Sequence, residues 1–141
     1  MMMKQVYLFL VLVMTCWGCQ DMKIGYLKAD NAGYLPNELE VKKTLDPVED
    51  AVRIANEAPW VTPKIQGVLG TAPLQYEFVS VKASDGGDAE LFKQEIVVRG
   101  GGVMELPLYT KLPAGRYVVT LRVSNDGYSS ALPDVYTFIV K

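Results

Sequence analysis

Three groups of residues in this chain have types and spacings that chemistry can use. Cys16 and Cys19 stand three apart in "TCWGCQD". Such a pair does redox work when it opens a helix of a folded α/β domain, where the first thiol is easily ionised. Here it closes an apolar run, which excludes that use. Asp85, Asp88 and Glu90, in "SDGGDAE", offer carboxylate oxygens of the kind calcium takes. Their spacing is not that of a calcium-binding helix-loop-helix, and Asp-Gly-Gly-Asp is first a turn tolerant of positive φ. No metal site is therefore expected, and these three are the weak calcium candidates. The third group is aromatic: Tyr26, Tyr34, Trp60, Tyr109, Tyr128 and Tyr136 exceed what the core of a small domain needs. Flat rings stack on the apolar faces of sugars and anchor protein interfaces. Trp60, Tyr109 and Tyr128 are the candidate ligand-binding rings, with Tyr128 expected to be exposed and a core plug the stronger expectation for Trp60 in "APWVTPKI".

The residue types that are missing narrow the chemistry further. The 141 residues include no histidine, which removes the commonest general base and metal ligand. No serine sits in a Gly-x-Ser-x-Gly elbow or ahead of a lysine in Ser-x-x-Lys spacing. The "RGGGV" run lies between strand-like segments with no helix start to aim amides at a phosphate, so it reads as a bend and not a nucleotide cradle. Neither catalysis nor a cofactor is expected. A formal net charge of −2 with basic residues scattered along the chain gives no footprint for nucleic acid.

The elements that must position the aromatics begin after residue 37. Ahead of them, "MMMKQVYLFLVLVMTCWGC" places one lysine before an apolar run from Val6 to Trp17, broken by Thr15 and Cys16. That run is too short to span ~30 Å of hydrocarbon and has the pattern of a secretory signal. Gly18 before Cys19 at the polar boundary resembles the lipobox of bacterial lipoproteins, although Cys16 stands where a leucine-like residue is usual. The resemblance implies a signal peptide over 1–18, removal of it before Cys19, and a lipid on the Cys19 thiol. Two or three acyl chains, at ~0.8 kcal/mol per buried methylene, make such anchoring nearly permanent. Cutting after Gly18 by an ordinary signal peptidase would instead leave Cys19 as a free thiol. Residues 19–37, "CQDMKIGYLKADNAGYLPN", carry no sustained period and read as the lipidated cysteine and a tether, in which Tyr34 has no expected folded partner.

Residues 38–141 read as one domain. "GRYVVTLRVSN" sets Tyr117, Val119, Leu121 and Val123 on one face against Arg116, Val118, Thr120 and Arg122 on the other, the period of a half-buried strand. With "ELEVKK", "KIQGVLG", "LQYEFVSVKA", "LFKQEIVVR", "VMELPLY" and "VYTFIVK", about seven strands are expected. Between the last two strands "SNDGYSSALPD" reads as a loop, and "PVEDAVRIANEAP" as at most a turn or two of helix. "KLPAGRYVVTLRVSN" resembles the Pro-x-Gly-x-Tyr approach to a late strand of immunoglobulin-like and cadherin-like sandwiches, which gives Tyr117 the role of a tyrosine corner. The expected fold is all-β, a single immunoglobulin-like or cadherin-like antiparallel β-sandwich. A small lipidated sandwich of this kind resembles the surface lipoproteins of gut Bacteroidetes. That resemblance implies a lipid-anchored protein of the outer membrane, exposed at the cell surface and in contact with the membrane and with a protein or glycan partner. The leading expectation is an envelope-anchored binding or adhesion module. The alternatives are a glycan-binding accessory lipoprotein of a polysaccharide-uptake system and a subunit or spacer in a larger envelope assembly.

Overall fold

In "GRYVVTLRVS" the side chains of Tyr117, Val119, Leu121 and Val123 are fully buried, while Arg116 and Arg122 reach solvent. This strand is the centre of the molecule. The computed structural model describes residues 2–15 and 24–141; Cys16 and Cys19, and with them the expected lipidation site, lie outside the described residues. Helix α1 (Met2–Thr15) carries the apolar run, and no described helix is long and apolar enough to cross a membrane. The elements that follow are β1 (Leu27–Lys28), β2 (Glu38–Val41), α2 (Ala51–Ala55), β3 (Trp60–Val61), β4 (Leu69–Gly70), β5 (Gln75–Ser84), α3 (Ala89–Glu95), β6 (Val97–Val98), β7 (Met104–Leu106), β8 (Gly115–Ser124) and β9 (Ser129–Val140). They form a four-stranded sheet in the order β2-β9-β8-β5, a three-stranded sheet β3-β7-β6 and a two-stranded ribbon β1-β4. The fold is all-β and sandwich-like, with Phe92, Met104, Leu106, Leu112 and Phe138 completing the core around β8.

Four features differ from the expectation. First, β2 runs parallel to β9, from Glu38 opposite Thr137 to Val41 opposite Val140, while the other strand pairs are antiparallel. The long stretch of chain between these two strands leaves room for the crossover that a parallel pair needs. Second, most of "LFKQEIVVR" is helix α3. The Asp88 side chain accepts a hydrogen bond from the Leu91 N–H at 3.1 Å, capping the helix, and helical spacing turns Leu91, Phe92 and Ile96 toward the core.

Third, the expected loop "SNDGYSSALPD" shrinks to a hairpin at residues 125–128, and β9 resumes at Ser129. The strand then bulges: Val119 faces Tyr136 and Leu121 faces Leu132, so Pro133, Asp134 and Val135 stand opposite Thr120 alone. A proline has no N–H for the ladder, and Asp134 adopts φ 49° with its N–H on Thr120 Oγ1 at 3.2 Å. Fourth, residues 24–37, expected within the tether, pack on the domain. β1 pairs with β4, Gly33 exchanges backbone bonds with Gln66, and Tyr34 is buried with its hydroxyl donating to the Gly102 carbonyl. Tyr34 also meets Tyr136 edge-on at 4.9 Å. Burial of that ring outweighs the polar, aperiodic character of the segment around it.

Candidate functional site

The hairpin between β8 and β9 is held by one side chain. Asn125 Oδ1 accepts from the N–H groups of Gly127 (3.2 Å) and Tyr128 (2.9 Å), closing the turn on itself. Its Nδ2 donates to the carbonyls of Tyr26 (2.9 Å) and Thr71 (3.2 Å). Tyr26 and Thr71 are themselves clasped: the Thr71 N–H donates to the Tyr26 carbonyl at 3.0 Å, and the Tyr26 N–H to Thr71 Oγ1 at 3.1 Å. Gly25 makes this approach possible, since it holds φ +98° and a Cβ there would collide with Thr71 Oγ1. Three distant segments therefore meet at one end of the sandwich, where the backbones of Tyr26, 54% exposed, and Tyr128, 36% exposed, share the Asn125 side chain.

From this end a groove of about 370 Å³ runs between the N-terminal segment and β9. Its walls begin at Ala29, three residues past Tyr26, and at Ala131, three past Tyr128. They reach Asn37 and Val135, near the point where the Thr137 N–H donates to the Asn37 carbonyl at 3.0 Å. The bulge in β9 sets Pro133 and Asp134 on one wall, and the other wall carries Asp30 and Asn37. Asp134 is held 3.2 Å from Lys82 Nζ. The groove is polar, its walls start three residues beyond two exposed tyrosines, and its described lining holds no nucleophile activated by a base.

The expected site residues fall in different places. Trp60 is not a surface ring: it is 5% exposed, its indole N–H donates to the Leu108 carbonyl at 3.3 Å, and the Arg53 guanidinium covers it 4.2 Å from the ring centroid. A ring so buried cannot stack on a ligand, so this candidate is corrected to a core residue. Tyr109 is 63% exposed, on the segment fixed by Leu108 to Trp60 and by Thr110 to Glu95, and Tyr128 is at the groove end. Tyr117 is fully buried, stacks on Phe92 at 5.2 Å, donates from its hydroxyl to the Pro113 carbonyl at 2.8 Å and accepts from the Asp88 N–H at 3.1 Å. Asp85 takes the turn at φ 56°, Asp88 caps α3, and Glu90 pairs with Lys93 at 3.4 Å. Among the described residues no group of three His, Cys, Asp or Glu is placed to hold a metal ion.

Sequence reasoning missed Asn125, Asp30, Asn37 and the placement of Tyr26. Asn125 precedes Asp-Gly, which signals a turn, but nothing in the chain marks the partner 99 residues away. Beneath the groove, burial pushes the Tyr34 hydroxyl pKa up, and it pushes Tyr136 up to about 12 with a further contribution from the Glu38 charge.

No protein-family model matches the chain, and no curated protein matches it. Among solved structures it is similar to a SusE-like surface-located polysaccharide-binding protein from the heparin utilisation locus of Bacteroides thetaiotaomicron. The two are 16% identical with a TM-score of 0.53, over 83% of this chain and 15% of the other. At that identity the likeness is one of fold, and this chain spans a small part of its neighbour's length.

Proposed function

We propose that this protein is a non-catalytic glycan-binding module of the bacterial cell surface, held there by a lipid on Cys19. One observation carries the reading: Asn125 ties two exposed tyrosines, Tyr26 and Tyr128, together three residues ahead of the walls of a polar groove lined by Asp30, Asn37 and Asp134. Sugar recognition needs that combination, apolar faces for stacking beside polar atoms for hydroxyl groups. The likeness to a polysaccharide-binding protein supports the reading, and so does the lipobox-like Gly18-Cys19. The buried Tyr117 corner supports an immunoglobulin-like type of sandwich.

The test is a glycan array probed with the detergent-solubilised full chain and two variants. At about 1 kcal/mol per stacked ring, Tyr26→Ala with Tyr128→Ala lowers affinity about 30-fold, while Tyr109→Ala leaves it unchanged. Loss on Tyr109→Ala with no effect of the double variant would move the site to the opposite segment. An array silent for all three proteins, beside capture of an envelope protein, would replace the glycan with a protein partner.

A further inference from the structure

We infer that the groove selects uncharged glycans and rejects sulfated ones, an inference that rests on the glycan-binding reading and names the chemistry it admits. A sulfated chain is gripped by several converging cations, with arginine the best of them because its fork matches an oxyanion in two places. This chain has four arginines, and each already has a partner away from the groove. Arg99 is 3.0 Å from Glu105, Arg116 is 3.4 Å from Glu38, and Arg122 is 3.2 Å from Glu77. Arg53 lies over Trp60 and donates to the Pro59 carbonyl at 3.1 Å.

The groove itself has the opposite sign. Asp30 stands on one wall and Asp134 on the other, and Asp126 is exposed at the hairpin beside Tyr128. Lys82 reaches this region only as the partner of Asp134, and exposed Lys28, on β1, is a single point charge. Among the described residues, a polyanion approaching the two tyrosines therefore meets carboxylates with no array of cations to offset them. For an uncharged sugar the same carboxylates are assets: each accepts hydrogen bonds from hydroxyl groups, and a carboxylate acceptor makes the stronger, charge-assisted kind. Asp30 and Asn37 on one wall and Asp134 on the other would receive hydroxyls of a sugar whose apolar face lies against Tyr26 or Tyr128.

The experiment is affinity electrophoresis of the detergent-solubilised full chain through gels containing an α-glucan, a β-glucan, a xylan, a mannan, heparin or chondroitin sulfate. Retardation is expected in at least one of the four uncharged gels and in neither sulfated one. It should change less than ~2-fold between 50 mM and 500 mM NaCl, because no counterions are released. Asp30→Asn should weaken that binding about tenfold, whereas it would strengthen capture of a polyanion. Retardation by heparin or chondroitin sulfate alone, lost at high salt and lost in the Tyr26→Ala, Tyr128→Ala variant, would overturn the selectivity and leave the glycan-binding reading standing. No retardation in any of the six gels would overturn both.

Discussion

Tyr136 and Tyr117 both lie in the core, and their hydroxyls have different fates. Tyr117 donates to Pro113 and accepts from Asp88, so its oxygen is satisfied on both sides. The Tyr136 hydroxyl is buried with no hydrogen-bond partner among the described residues, and burial pushes its pKa up to about 12. The unfolded chain releases that proton near pH 10.0, the ordinary value, while the folded chain holds it until about 12. Above pH 10 the unfolded state thus binds fewer protons, and stability falls as pH rises from about 10 to about 12. Below 10 both states are protonated and the residue contributes no slope. Tyr34, raised in the same direction by burial, adds to the same alkaline loss. Urea midpoints of wild type and Tyr136→Phe at pH 8, 10 and 11 check this. The variant should match or slightly exceed wild type at pH 8, since it removes an unpartnered hydroxyl, and should lose less stability toward pH 11. Equal slopes would show that Tyr136 ionises as readily in the fold as in the open chain.

At the scale of elements, the hairpin at residues 125–128 has two tasks that Asn125 performs with different atoms. Its Oδ1 closes the turn, and its Nδ2 ties the turn to Tyr26 and Thr71. Asn125→Asp keeps the acceptor and removes both donors, so the hairpin should persist while the segment that carries Tyr26 loosens. Hydrogen exchange should speed at the Thr71 amide, glycan affinity should fall about tenfold, and stability should drop by only ~1 kcal/mol. Unchanged exchange at Thr71 would mean that β1 and β4 hold the segment without this tie. The same contacts explain what the sequence discloses. Strand β8 was legible because one face is core and the other solvent, which writes a period of two into Tyr117, Val119, Leu121 and Val123. In β5 that period breaks at the bulge near Val79, so Val81 and Ala83 turn inward in place of Ser80. Helix α3 was read as strand because Leu91, Phe92, Ile96, Val97 and Val98 form an apolar series whose meaning depends on the Asp88 cap. The docked segment at residues 24–37 and the groove were illegible, because each is defined by partners far along the chain.

At the scale of the whole molecule, docking of that segment limits how far the domain could stand from a lipid anchor on Cys19. With Tyr26 clasped by Asn125 and Thr71, the free length from Cys19 is at most the seven residues to Tyr26. Fully extended, they span roughly 25 Å. A lipid on Cys19 would therefore lie within that distance of Tyr26. The described residues that line the groove begin at Ala29, so anchor and site are expected to be separable. Cys19→Ala should therefore move the protein from the detergent-rich to the aqueous phase on Triton X-114 partition, with its affinity for an array-identified glycan unchanged within ~2-fold. Partition that stays with detergent would show that α1, left uncleaved, holds the protein in the membrane, or that lipid is attached elsewhere. Loss of glycan affinity with correct partition would show that the residues around Cys19 complete the groove.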